Sequence, residues 1–197
     1  MILDGPLPAG PRGLWLLEGV PCVGKSTLLH RWRRETEAPV LWAGEDLATQ
    51  RLFEPLETAH RPEAVEPWLR GLLQGWQALQ ARASAMAWAG SQGGFLAIQE
   101  RFHLSAEGEG GLGPGAFEAL EAALAEAGAQ GVLLTLSGPE LGRRLEASLT
   151  GRPPAWGRWL EGRYGSLAGA TAAFLQRQSE LEGLAHRSLL PWRRAQT

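Results

Sequence analysis

Several residue types are nearly absent from this sequence. Asparagine does not occur, lysine and cysteine occur once each and aspartate twice, against nineteen glutamates and eighteen arginines. A single cysteine, Cys22, excludes a disulfide framework and a metal site built on paired cysteines. We attribute the skew to a coding bias toward Arg, Gly, Ala and Pro, so each residue that departs from it is informative.

Long apolar runs and an excess of positive charge are also lacking. The formal net charge is −2 and the arginines are spread along the chain, unlike the basic surface of a nucleic-acid-binding protein. No apolar run approaches the roughly 18 residues of a membrane span, and the first residues contain Pro and Gly where a signal peptide needs an apolar core. We therefore expect a cytoplasmic protein with no nucleic-acid or membrane partner.

Apolar runs typical of buried strands alternate with helical segments along the 197 residues. Helices are expected over about 47–89, broken near Pro62 and Pro67, and over about 160–186, and a flexible acidic loop is expected over 105–115. The alternation predicts an α/β fold with a parallel sheet covered by helices on both faces, in one domain over residues 1–197. The predicted strands are GLWLLEG (13–19), APVLWAGED (38–46), GGFLAIQER (93–101), GVLLTLSGPE (131–140) and a short HRSLLPW (186–192).

The one lysine lies in a phosphate-loop pattern, Gly19-x-x-x-x-Gly24-Lys25-Ser26, between a predicted strand and a predicted helix. Glycines let backbone N–H groups surround a phosphate, and the helix N-terminus favours negative charge. The Lys25 ammonium would contact the β- and γ-phosphates of a nucleoside triphosphate, and Ser26 would bind Mg²⁺. The predicted phosphate-binding residues are Gly19, Val20, Pro21, Cys22, Val23, Gly24, Lys25, Ser26 and Thr27.

Two segments of the chain resemble the family of thymidylate kinases and deoxynucleoside kinases. The loop EGVPCVGKST is similar to the family's EGxxGxGKST, and ERFHLS at the end of the third strand is similar to its DRY or ERS. The resemblance implies a five-stranded parallel sheet, ATP with Mg²⁺, and an Arg-rich lid, here over about 141–163. The resemblance is compatible with a homodimer. The family's REPGG or EPV after strand two is replaced by GEDLATQ (44–50), so the resemblance does not identify the acceptor.

Candidate catalytic residues close two predicted strands, at the edge of the sheet where ligands bind. Glu100 would hold Mg²⁺ or its water shell, and Arg101 would clamp a phosphate or orient the acceptor. Glu45 would act as the general base for an acceptor hydroxyl and contact that substrate, whereas Asp46 is better explained as a helix cap.

Further candidates lie on predicted helices. At least one arginine of the expected lid would contact phosphate: we assign Arg144 to catalysis and Arg152 to ATP, with Arg143 and Arg158 as the other candidates. Gln77 and Arg82 would contact the acceptor's base, because the resemblance puts the acceptor near this helical segment.

These residues favour an ATP-dependent phosphotransferase that moves the γ-phosphoryl group to a nucleoside or a similar small hydroxyl acceptor. A nucleoside monophosphate kinase stays open, because Arg101 could clamp an acceptor phosphate. A P-loop ATPase or nucleotide-binding switch without a small-molecule acceptor is expected to have a strand that ends in Asp. The corresponding strand here, FLAIQE (95–100), ends in Gln99 and Glu100. A phosphotransferase for another hydroxyl compound, such as an antibiotic or a polynucleotide end, also stays open.

The lone lysine generates a first test. We expect Lys25→Ala to abolish phosphoryl transfer, and Lys25→Arg to lower turnover by at least ~100-fold. A planar guanidinium is wider than an ammonium and would not fit inside a loop wrapped around one phosphate. Steady-state turnover of ATP measures both variants. Near-normal turnover in the arginine variant would refute the steric explanation.

Overall fold

Six parallel strands form one sheet in the computed structural model, whose described residues are 2–4, 7, 12–44, 61–85, 95–109 and 111–196. Their order across the sheet is β1-β6-β5-β2-β4-β3, and every neighbouring pair is parallel. The predicted α/β fold with a parallel sheet is confirmed, with an additional edge strand, β1, that the apolar pattern does not predict. The predicted bounds of the last strand, 186–192, are wrong, because a helix continues to Arg187 and the strand begins only at Trp192. The strands are β1 (Ile2–Asp4), β2 (Gly13–Glu18), β3 (Val40–Ala43), β4 (Leu96–Glu100), β5 (Gln130–Thr135) and β6 (Trp192–Gln196).

Helices connect these strands and cover the sheet. The central strands β2, β4 and β5 are buried along almost their whole length, as parallel strands covered on both faces should be. Among the described helices, none combines the length and the apolar character needed to cross a bilayer. The helices are α1 (Lys25–Glu35), α2 (Arg61–Ala85), α3 (His103–Gly108), α4 (Ala116–Glu126), α5 (Gly138–Gly151), α6 (Pro154–Tyr164) and α7 (Leu167–Arg187).

The direction of the connections changes at β2, which lies near the middle of the sheet. The chain leaves β2 toward the edge strand β3 and returns to β4, and the connections after β4 and β5 then lead toward the opposite edge. In open α/β sheets, ligands bind beyond the carboxyl ends of the strands at such a reversal. The topology therefore predicts a ligand site at the loop after β2.

Helix α2 continues through Pro67, where the sequence predicts a break. A proline inside a helix removes one backbone hydrogen bond. Val65, Leu69 and Leu73 are nevertheless buried in the core, and this packing holds the helix together across the proline. The remainder of the predicted helical segment, residues 47–60 and 86–89, lies outside the described residues.

The predicted long helix over 160–186 is instead two helices. Gly165, with φ of +74°, ends α6 in the left-handed conformation, and the Ser166 side chain accepts a hydrogen bond from the Gly169 N–H to begin α7. The expected loop at 105–115 is also partly helical, because α3 ends at Gly108 and buries Ser105.

A buried carboxylate, Glu121 of α4, organises the connection into β6. It accepts hydrogen bonds from Ser188 Oγ at 2.7 and 2.8 Å and from the Leu189 N–H at 2.6 Å, and it pairs with His103 Nε2. Burial by itself would raise the pKa of Glu121, but the contacts with His103, Ser188 and Leu189 outweigh burial and lower the pKa. The carboxylate thus joins α3, α4 and the segment before β6.

This network generates a stability prediction. We expect Glu121→Gln to lower the free energy of unfolding by about 2–4 kcal/mol at neutral pH, because several buried donors lose a charged acceptor. The folded pKa of Glu121 lies below its ordinary value of 4.5. The stabilisation is therefore complete above pH 4.5 and is lost as the pH falls through the folded pKa.

Urea unfolding of the wild type and the variant, at neutral pH and at pH values below 4.5, measures this difference. The difference should shrink at the lower pH values. The matched control is Glu118→Gln, an exposed position on the same helix, which should change stability little. A Glu121→Gln difference that is the same at every pH would contradict the assignment of the stabilisation to the ionised carboxylate.

Candidate active site

The loop after β2 has the backbone geometry of a cradle. Gly19 has φ of +143°, and a Cβ there would lie 2.8 Å from the Leu134 carbonyl oxygen and 2.8 Å from a Val23 methyl group. Cys22 and Gly24 also have positive φ angles, of 66° and 95°. Only glycine combines the conformation of Gly19 with this close approach, so the loop depends on it.

Lys25 begins α1 directly after this cradle. Its side chain is buried, and its Nζ donates hydrogen bonds to the Gly19 carbonyl at 2.9 Å and to the Val20 carbonyl at 3.2 Å. Gly24 is the N-cap of this helix and has no side chain to cap it. A helix N-terminus beside a lysine ammonium favours a bound anion. Ser26 and Thr27, the next two residues, are exposed and line a cavity that begins at this loop.

A cavity of about 1200 Å³ extends from this loop across the carboxyl edge of the sheet. Glu100 and Arg101, at the end of β4, line it, as do parts of α3, α6 and α7. Among the described lining residues, the cations outnumber the acids, so the cavity suits an anionic ligand. The cations are Lys25, Arg101, Arg152, Arg163 and Arg177, and the acids are Glu100, Glu109 and Glu180.

Arg101, Glu109 and Arg177 form a charge cluster in the cavity wall. Arg101 Nη2 pairs with Glu109 Oε1, and Arg177 Nη2 lies 4.0 Å from the same oxygen. Arg177 also donates to the Ser105 carbonyl at 2.8 Å. Burial raises the pKa of Glu109, and although the two arginines oppose that effect, the net direction is upward. A carboxyl group with a raised pKa can take up a proton more readily, a property that suits acid–base chemistry.

Another part of the cavity wall is aromatic. Trp156 and Trp159 of α6 line the cavity with nearly parallel rings, and Tyr164 packs edge-on against Trp159 at 5.7 Å. Phe174 of α7 contacts Tyr164 at 5.3 Å between ring centroids. The cavity therefore offers charged groups and flat apolar groups to one ligand or to two adjacent ligands.

Most of the predicted donor-site residues line this one cavity. They include Lys25 and Ser26 with Glu100, Arg101 and Arg152, whereas Val23 is buried beneath the loop. Glu45 lies outside the described residues. Gln77 and Arg82 are exposed on α2 and are not among the described residues that line the cavity.

The remaining lid arginines lie away from the cavity. Arg144 donates to Glu140 at 2.7 Å, and Arg143 forms two hydrogen bonds with the same carboxylate. The hydrogen bonds from Arg143 and Arg144 lower the pKa of Glu140 to about 2. Arg158 is exposed and does not line the cavity. A phosphate contact by Arg144 would therefore require α5 to move.

Several residues that line the cavity could not be predicted from the sequence around them. Glu109 and Arg177 are 68 positions apart, and the cavity wall brings them together only because α3 packs on α7. Gly108 makes room for the arginine, since a Cβ there would lie 1.6 Å from Arg177 Nη1. Trp156 and Trp159 do have a signal, their spacing of three residues, which places two aromatic rings on one face of a helix.

Sequence comparison provides no relative: no protein-family model matches the chain, and no curated protein matches it. Among solved structures, the chain is similar to thymidylate kinase from Candida albicans. The identity is 15%, the match covers 95% of this chain and 84% of that chain, and the TM-score is 0.45.

The predicted lid, residues 141–163, spans α5 and α6 and the bend at Arg152 and Pro153 between them. We expect this segment to gain protection from hydrogen exchange when a non-hydrolysable ATP analogue binds, because closure excludes water from the cavity. Exchange should be compared with and without the analogue, with α4 as the internal reference. Unchanged protection over 141–163 would argue against a lid.

Proposed function

We propose that this chain is an ATP- and Mg²⁺-dependent phosphotransferase that moves the γ-phosphoryl group of ATP to a nucleoside or a similar small hydroxyl acceptor. One observation carries the proposal: a single cavity joins the Lys25 phosphate loop to the carboxylate of Glu100 and the guanidinium of Arg101. Phosphoryl transfer needs positioned cations and a group that handles the acceptor's proton, with little covalent chemistry by the protein.

The donor side of the cavity fits a triphosphate. Residues 19–27 would hold the phosphates, because the start of α1 has no side-chain cap and its first N–H groups are available to an anion. Ser26 and Glu100 would hold Mg²⁺. Among the described residues no group of three His, Cys, Asp or Glu could hold a metal ion by itself, so phosphate oxygens would complete its ligands. When bound, ATP supplies the transferred group and Mg²⁺ offsets its charge.

The acceptor side supports a neutral hydroxyl more than a phosphate. Arg101 has a carboxylate partner in Glu109, and Arg177 lies near that carboxylate and pairs with Glu180. A second phosphate would have to compete with these acids for the two guanidinium groups. A hydroxyl must lose its proton, for which carboxylates at this edge of the sheet are suited. We assign that role to Glu45.

A nucleoside monophosphate kinase is the second candidate, and a specific observation favours it as well. Arg101 and Arg177 approach the same carboxylate from two elements, so two guanidinium groups converge in the cavity wall. Such a pair could hold an acceptor phosphate in a bidentate manner if Glu109 were displaced or protonated.

An ATPase without an acceptor is less well supported. The cavity volume of about 1200 Å³ exceeds the ~300–1,000 Å³ that is common for a single small-molecule site. The volume supports a second small molecule beside ATP.

Kinetics with matched acceptors test the proposal. We expect thymidine or another nucleoside to be phosphorylated, and we expect Glu45→Gln to lower turnover at least ~100-fold, because the acceptor hydroxyl loses its base. Steady-state rates with thymidine and with thymidine monophosphate, in the wild type and in the variant, measure both expectations.

The matched control for this test is Glu37→Gln, an exposed position before β3 that does not line the cavity. It should leave turnover with each acceptor near the wild-type rate. Use of monophosphates alone, with Glu45→Gln almost unaffected, would overturn the hydroxyl acceptor in favour of the monophosphate kinase. Hydrolysis of ATP with no acceptor dependence would overturn both.

A further inference from the structure

Two tryptophans flanked by two arginines lie on and just before α6. Arg152 lies two residues before the helix, and Trp156, Trp159 and Arg163 follow it at spacings of four, three and four residues. Residues three and four positions apart lie on the same side of a helix. All four side chains line the cavity that contains the phosphate loop. We call these four residues the Arg–Trp face.

The side chains of the Arg–Trp face contact one another in sequence. The Trp156 and Trp159 rings are 5.2 Å apart between centroids and only 15° from parallel. Arg152 Cζ lies 4.5 Å from the Trp156 ring centroid, and Arg163 Cζ lies 5.9 Å from that of Trp159. Cation–π contacts at these distances hold guanidinium groups beside the rings.

Packing of α6 on the core accounts for only part of this face. Leu160 is the residue of α6 that is buried in the core. The two tryptophan rings are partly exposed and border the cavity. Trp156 Nε1 donates to Ser148 Oγ at 2.9 Å, which fixes this ring against α5. The face is therefore a stacked pair of indole rings, held in place by the hydrogen bond to α5, with a guanidinium group at each end of the stack.

Helix α7 joins this face to the charge cluster. Phe174 contacts Tyr164 of α6, and Arg177, three residues further along, bonds to Ser105 of α3. Three residues correspond to a rise of about 4.5 Å along a helix. The aromatic wall and the charged wall are therefore neighbours inside one cavity.

We propose that the Arg–Trp face is a nucleobase-stacking site, with the base lying against the Trp159 ring and the flanking arginines attracting the phosphates of the same ligand. This inference rests on the proposed function, since it takes the phosphate loop to hold the triphosphate. Bases stack on aromatic side chains without needing a particular hydrogen-bond pattern. The base belongs either to ATP or to the acceptor, and the experiment below separates these two sources.

The matching of charge and shape selects this class of ligand. A small aliphatic alcohol has no flat ring to place against an indole, and a purely anionic ligand would need the arginines without the tryptophans. A nucleoside or nucleotide uses both, because it joins a planar ring to a polar or anionic part.

Equilibrium binding tests the site without requiring catalysis. Three ligands are titrated calorimetrically: a non-hydrolysable ATP analogue, inorganic tripolyphosphate, and thymidine. We expect Trp159→Leu to weaken binding of at least one base-bearing ligand by about 5- to 150-fold, the range measured for loss of one base stack. Tripolyphosphate should bind as in the wild type, because it has no base.

Two further variants serve as controls for misfolding and for nonspecific loss of a tryptophan. Trp159→Phe keeps an aromatic ring and should retain most of the base-dependent affinity, so it applies even if the leucine variant folds poorly. Trp68→Leu removes a partly exposed tryptophan from α2, outside the lining, and should change none of the three affinities.

Each outcome assigns the site or overturns it. Loss confined to the ATP analogue assigns the base to the donor, and loss confined to thymidine assigns it to the acceptor. Unchanged binding of both base-bearing ligands in the two Trp159 variants would overturn the site, as would an equal loss for tripolyphosphate. Tight binding of single-stranded oligonucleotides, with none of mononucleotides, would also overturn it in favour of a nucleic-acid surface.

The stacking site and the proposed function fail in different ways. Base-dependent binding through Trp159 in a chain that transfers no phosphoryl group would refute the function and leave the stacking site intact. Phosphoryl transfer with binding that does not depend on Trp159 would do the reverse.

Discussion

The buried carboxylate of Glu18 is the contact on which the arrangement of the cavity depends. Glu18 ends β2 directly before the phosphate loop, and it accepts hydrogen bonds from the Phe102 and Ser105 N–H groups and from Ser105 Oγ. Removing donors from a buried carboxylate is strongly destabilising. The start of α3 is therefore held at a fixed distance from the loop. Because Arg101 directly precedes that start, its position beside the loop follows from the same contact.

A second constraint is the balance of charge in the cavity wall. A side chain at residue 108 would force the Arg177 guanidinium to shift, and that guanidinium would be costly to bury without Glu109 and Glu180 nearby. Burial makes ionisation of Glu109 unfavourable, and the pKa of this carboxyl group is therefore raised. Burial and charge pairing thus oppose each other at this carboxyl group. A ligand that entered the cavity would alter that balance directly.

Much of the fold could be predicted because it follows from local chemistry. Continuous apolar runs such as LWLL in β2 become buried parallel strands, and the glycine spacing around Lys25 defines a loop between a strand and a helix. The boundaries near Pro67 and Gly165 could not be predicted with the same rules. Core packing of Val65 and Leu69 outweighs the cost of the proline, and a left-handed glycine divides a helical pattern that looks continuous in sequence.

The strand–helix alternation, the phosphate-loop pattern and the position of Glu100 and Arg101 at a strand end can be read from the sequence, since each depends on residues that are adjacent in the chain. Which distant side chains share the cavity depends on the packing of the elements. Glu109 and Arg177 meet because α3 packs on α7, and Arg144 stays outside because Glu140 binds it on α5. Contacts of this kind depend on how whole elements pack, and no spacing within a single segment encodes them.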